Sequence, residues 1–212
     1  MFRHGAFDWR SASLGLLAVA ATACAPVFSD ARLVGKGRAE ITPSFSAAGW
    51  AAEGESDHVA NNIGVHALYG VADRADVFVG YLRTQFVNDA DGTNAMEFGP
   101  KLGIVRDRVA VALPVGLAFG GGVETNETWH FYPTALFTVP AGGSVDINPA
   151  VRVLIPTCED CDVLVGVNLG AGIRLAGNRA ILRPEFGILM NPGETGVGWH
   201  FGFAVSIRSR TR

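Results

Sequence analysis

Ten stretches of this chain, spread between residues 39 and 208, alternate apolar and polar side chains one by one. Successive side chains of a strand point to opposite sides, so period two marks a sheet whose faces meet different surroundings. The pattern is all-β, and composition decides which kind. Hydrophobic residues make up 49% of the 212 and charged residues 17%, and the mean hydropathy is +0.26. That is oily for a soluble domain, yet no apolar run reaches the roughly 20 residues that a helical membrane span needs. The longest, 11–23, is too short and lies at the amino end. An oily chain without such a helix can still live in lipid by closing a β-barrel, where every backbone group is paired strand to strand.

The first segment sets Ile41, Pro43 and Phe45 against Glu40, Thr42, Ser44 and Ser46, and the second sets Ile63, Val65, Ala67 and Tyr69 against Asn62, Gly64, His66 and Gly70. The third opposes Phe78, Leu82 and Phe86 to Tyr81, Arg83 and Gln85; the fourth opposes Met96, Phe98, Leu102 and Ile104 to Glu97, Gly99, Lys101 and Gly103. The other six follow the same rule, down to Trp199, Phe201, Phe203, Val205 and Ile207 against His200, Gly202, Ala204 and Ser206. Connections alternate in length: 72–76, 106–108, 141–144 and 177–179 are tight, whereas 47–58, 88–95, 120–128, 157–162 and 191–196 are longer.

The faces then decide which side is wet. A soluble lipocalin-like barrel turns its apolar face inward and needs a well-charged exterior. Here the polar face is mostly Gly, Ala, Asn and His with few charges, which suits a crowded lumen, and the bulky face, with Trp129, Phe131, Trp199 and Phe201 near strand ends, suits lipid and an aromatic girdle. The expected fold is a transmembrane antiparallel up-and-down β-barrel of about ten strands.

Over residues 39–208 the chain resembles the small bacterial outer-membrane β-barrels. Their assembly signal resembles polar-x-Gly-x-x-apolar-x-apolar, a spacing matched by His200, Gly202, Val205 and Ile207. The resemblance implies a bacterial outer-membrane location, contact with outer-membrane lipids, and recognition of the last strand by the outer-membrane assembly machinery. It also implies short turns and both termini on the periplasmic side. The chain departs from the pattern by trailing on through Arg208–Arg212 instead of stopping at an aromatic. Pro43, Pro100, Pro114, Pro133, Pro149 and Pro184 each remove a ladder donor, which predicts local irregularity, since a closed barrel has no edge to hide them.

Residues 1–23 read as a signal peptide: Arg3, His4 and Arg10 form the basic part, 14–20 the apolar part, and Ala21-Thr22-Ala23 the cleavage site. Cleavage before Cys24 resembles the lipobox of bacterial lipoproteins, although Ala21 stands where Leu is usual, and makes Cys24 a candidate for lipidation. Residues 24–38 are expected to form a periplasmic linker and 39–212 the barrel. In an exported protein, Cys158 and Cys161 are expected to pair as a small disulfide in a loop.

The inward charges expected in the lumen are Glu40, Glu97, Asp146 and Glu185 against Arg83, Lys101, Arg152, Arg174 and Arg183. Isolated charges in a narrow dry lumen are very costly, so these are expected to pair and fill the barrel. A barrel filled in this way would serve a structural or surface-interaction role; the alternative is a narrow path for small polar solutes, with the same charges setting selectivity. The net charge of −3, with no basic patch interleaved with aromatics, argues against a nucleic-acid partner. No phosphate-cradling, metalloprotease or serine-hydrolase motif appears, so no cofactor and no catalytic role are expected. Ser56, Asp57 and His58 form the only local cluster of catalytic residue types, and His130 and His200 read as wall residues.

Overall fold

The computed structural model describes residues 26–87, 92–121, 129–157, 161–175, 179–192 and 195–209. The signal peptide, Cys24 and Cys158 lie outside these residues. Ten antiparallel strands run β1 (Ala39–Ala52), β2 (Glu55–Ala72), β3 (Ala75–Phe86), β4 (Thr93–Val105), β5 (Val109–Ala112 and Val115–Gly120), β6 (Trp129–Phe131, Thr134–Phe137 and Val139–Gly142), β7 (Val145–Pro156), β8 (Leu164–Leu175), β9 (Ala180–Met190) and β10 (Val197–Arg208). Each pairs with its neighbours in sequence, and β10 returns to β1 from Glu40↔Arg208 to Ala51↔Val197. The sheet therefore closes, with up-and-down connectivity.

Closure puts one face of every strand outside. Ile63 is 65% exposed, Leu169 58% and Phe201 58%, amid a belt of large apolar side chains that runs round the barrel. Inside, Thr42, Ser46, Asn62, Asn148 and Asn168 are buried. An apolar exterior over a polar interior is stable only with hydrocarbon outside, since in water this belt would be a large exposed patch. Small inward residues make room for large ones across the lumen: a Cβ on Gly116 would stand 2.2 Å from the Tyr132 ring.

Two expectations are corrected. In β3, Val77, Val79 and Tyr81 face outward, while Asp76 and Thr84 are buried and Phe78 packs on the core. The expected face of this strand is inverted. Arg83, expected in the lumen, sits opposite the exposed Ile63 and donates to Asn94 Oδ1 at 3.1 Å on the outer wall. Both faces of β3 carry bulky apolar groups, so its alternation gave the wrong phase. Second, the expected long loop 47–58 is strand: β1 and β2 continue to Ala52 and from Glu55, joined only by Glu53 and Gly54, both at positive φ. A bulge at Ala48/Gly49 adjusts the register there.

The prolines do interrupt pairing. Pro114 and Pro133 split β5 and β6 into segments, and around Pro43 the β1–β10 register skips Thr42 and Pro43, where a Thr42–Ser206 hydroxyl contact of 2.8 Å bridges the gap.

Leu169 lies mid-strand on β8 and faces outward, so Leu169→Arg should destabilise the barrel by about 2–4 kcal/mol in a bilayer while Leu169→Ala changes little. Urea unfolding in lipid vesicles checks this, and equal stability of the Arg variant would reverse the face assignment.

Candidate functional site

The lumen holds the chemistry of this molecule, and a piece of the chain itself fills it. Residues 26–38, expected as a linker beneath the barrel, instead enter it. Val27, Phe28, Ala31 and Val34 are buried, and Val27 and Ala31 pack with Ala110, Ala112, Leu136 and Ala150 of the wall. The segment then leaves along β2, where Gly37 N–H donates to Gly70 O (2.8 Å) and Gly70 N–H to Arg38 O (2.9 Å), before turning into β1.

An irregular segment brings unpaired amides into a dry space, and each needs an acceptor. Inward wall side chains supply them. The Glu185 carboxylate takes both Val27 N–H (2.7 Å) and Phe28 N–H (2.8 Å). Thr138 Oγ1 accepts from Ala31 N–H (2.9 Å), and Asp76 Oδ2 accepts from Val34 N–H (2.9 Å). Glu185 is steadied in turn by Asn168 Nδ2, which donates at 2.8 Å, and by His200 Nε2 at 3.2 Å.

Side chains add a second set of ties. Arg183 reaches Asp30 at 3.0 Å and Glu40 at 3.4 Å, and its Nε donates to Ser206 Oγ at 2.7 Å. Arg208 closes on the other oxygen of Glu40. Asp146 is shared by Arg174 of β8 and Arg32 of the inserted segment. Lys101 Nζ donates to the carbonyl of Arg32 at 2.7 Å and to Ser29 Oγ at 3.4 Å. Away from the segment, Glu97 meets His66 Nε2 at 2.8 Å, and Arg152 lies over the Tyr132 ring, 5.6 Å from its centroid, with Nε 3.4 Å from Thr134 Oγ1.

Of the expected lumen charges, Glu40, Glu97, Lys101, Asp146, Arg152, Arg174, Arg183 and Glu185 lie inside. The expected cross-barrel pairing is only partly how they are satisfied. Glu40–Arg183 and Asp146–Arg174 link wall to wall. Glu185 and Lys101 spend their capacity on the inserted backbone, and Glu97 pairs with a histidine. Sequence reasoning missed Asp76, Asp30 and Arg32. With Asp76 counted in, Arg83 out and Arg208 of β10 included for its contact with Glu40, the wall holds five inward acids and five lysines or arginines, and the segment adds Asp30 and Arg32, one of each sign.

The cluster Ser56, Asp57 and His58 is not brought together as a site. It lies on β2, where Ser56 Oγ accepts from Trp199 Nε1 at 3.0 Å and His58 Nε2 meets Ala60 O at 3.0 Å and Asn61 Oδ1 at 3.2 Å. Cys161 is disulfide-bonded.

No family model and no curated protein matches the chain. Among solved structures it is similar to an outer-membrane channel from Pseudomonas putida F1, at 11% identity and a TM-score of 0.49 over 87% of this chain and 99% of that one. It is also similar to Ail, the attachment invasion locus protein of Yersinia pestis, at 9% identity and a TM-score of 0.37 over 82% and 99%. A third is the translocator domain of the autotransporter NalP from Neisseria meningitidis, at 10% identity and a TM-score of 0.48 over 82% and 89%.

Arg183→Met leaves Asp30 and Glu40 buried with reduced neutralisation and should cost about 3–5 kcal/mol. Adding Asp30→Asn should recover part of that loss, so the two substitutions are non-additive in a double-mutant cycle read by urea unfolding. Strict additivity would deny the pair.

Proposed function

We propose that this chain is an outer-membrane barrel with a structural or surface-interaction role, whose lumen is kept shut by its own amino-terminal segment. The supporting observation is the seat of residues 27–34: four buried backbone amides taken by Glu185, Thr138 and Asp76, with Asp30 and Arg32 paired to the wall. A path for solutes would need this space. In this reading the short turns lie in the periplasm, and the apolar belt sits among outer-membrane lipids. The spacing of His200, Gly202, Val205 and Ile207 on β10 offers the assembly machinery a strand that later closes on β1. Residues 1–23 are removed as a signal peptide.

Cys24 remains the proposed acylation point, two residues before the inserted segment.

Purified wild-type protein in planar bilayers should show near-zero conductance, and deletion of 26–34 should produce steady single-channel steps. Glu185→Gln, which keeps the fold but weakens the seat, should produce brief openings. Steady steps from homogeneous wild type would favour the pore reading. Labelled palmitate should be incorporated by the wild type and lost in Cys24→Ser, and a mature terminus found unmodified by mass spectrometry would overturn the acylation.

A further inference from the structure

At the short-turn end the plug does not fill the barrel flush. Residues 31–35 form the floor of a cup of about 1010 Å³, walled by Ala39, Gly103 and Ser209 and the ends of the strands. Its charge is one-sided: the lining includes Asp73 and Asp107 as acids but seven cations. Three of those are already engaged, Arg32 by Asp146, Arg208 by Glu40, and Arg106 by Asp107 at 3.8 Å. Among the described residues, Lys36, Arg38, Arg74 and Arg179 have no acidic partner, and all four line the same space. The other end of the barrel is opposite in sign. Among the described residues of its hairpin ends, Glu53, Glu55, Asp57 and Asp162 are acids and none is lysine or arginine. An anion is thus drawn to one mouth and repelled from the other.

We propose that this cup is a binding site for a compact soluble polyanion bearing two or more carboxylates or phosphates. Guanidinium forks suit such groups, which they hold by paired N–H donors. A floor made of the plug means that the ligand is held, not passed through. The concave position inside the strand ends favours a free solute over a lipid headgroup, which would have to leave the bilayer surface to enter. The site depends on the plug being seated but not on which compartment this mouth faces.

The test is calorimetric titration of the full mature chain, in zwitterionic detergent at low salt, with citrate and with tripolyphosphate. Wild type should bind at least one of them, and added salt should weaken it. The variant R38Q/R74Q/R179Q should bind about tenfold or more weakly, while R38K/R74K/R179K, which keeps the charge, stays nearer to wild type. These three side chains lie outside the buried network, so heat-modifiable gel migration should be unchanged in both variants. Absence of binding by wild type, or equal binding by the Gln variant, overturns the proposal. Native mass spectrometry after purification from phosphatidylglycerol supplies the other arm. Arginine-dependent retention of that lipid, without citrate or tripolyphosphate binding, assigns the cup to a headgroup and overturns the free-solute assignment. Conductance of the wild type reports on the plug and titration reports on the cup: a closed wild type that binds neither ligand overturns the cup alone, whereas a conducting wild type overturns the plug and with it the floor of the cup.

Discussion

Carboxylates enclosed by a wall of ten strands must be neutralised within that wall. Glu40, Asp76, Asp146 and Glu185 are all buried on the inward side of the barrel, and no bulk water or bulk ion stabilises a charge at the centre of a filled lumen. Much of the interior follows from this requirement. Glu185 accepts the amides of residues 27 and 28, and Asp76 Oδ2 accepts the amide of residue 34. The inserted segment has the complementary need, since an irregular backbone at membrane depth is tolerated only where protein satisfies it. Wall and plug each supply what the other lacks.

The same reciprocity separates this interior from a simple brace of ion pairs. In a brace, the wall is complete without further chain. Here Asp146 divides itself between Arg174 of the wall and Arg32 of the plug, and Arg183 between Glu40 of the wall and Asp30 of the plug. Withdrawing the segment leaves each wall pair with a retained partner but strips Glu185 and Asp76 of the amides they accept. Withdrawal therefore has a definite cost, set by those lost amides.

The wall was legible in the sequence because lipid imposes period two on every strand. β7 and β10 show it plainly: Asp146, Asn148 and Arg152 inside against Val151 and Ile155 outside, and His200 inside against Phe201 outside. It failed at β3 because the plug lies against that strand. Phe78 and Leu82 turn inward, Phe78 onto the apolar cluster that includes Val27, so the inner face is as oily as the outer one and alternation carries no sign. Arg83 was misplaced with them. The hairpin at Glu53 and Gly54 was hidden for another reason: beyond the lipid edge both faces of a strand are free to be polar or small, and period two fades where β1 and β2 continue upward.

The plug was the least legible element, and the physical cause is general. Most of its ties run through main-chain amides, which every residue but proline possesses, so Val27, Phe28, Ala31 and Val34 carry no mark of their contacts. Only Asp30 and Arg32, two opposite charges spaced to meet partners on different strands, hinted at a destination. The wall held a clearer trace: inward Glu185 lies among Asn168 and His200, with a glycine and not a lysine or arginine opposite it on either neighbouring strand. In a lumen that must balance, a carboxylate without a cation means that donors arrive from elsewhere in the chain. The only stretch of the described chain outside the wall and its hairpin ends is the one just before β1.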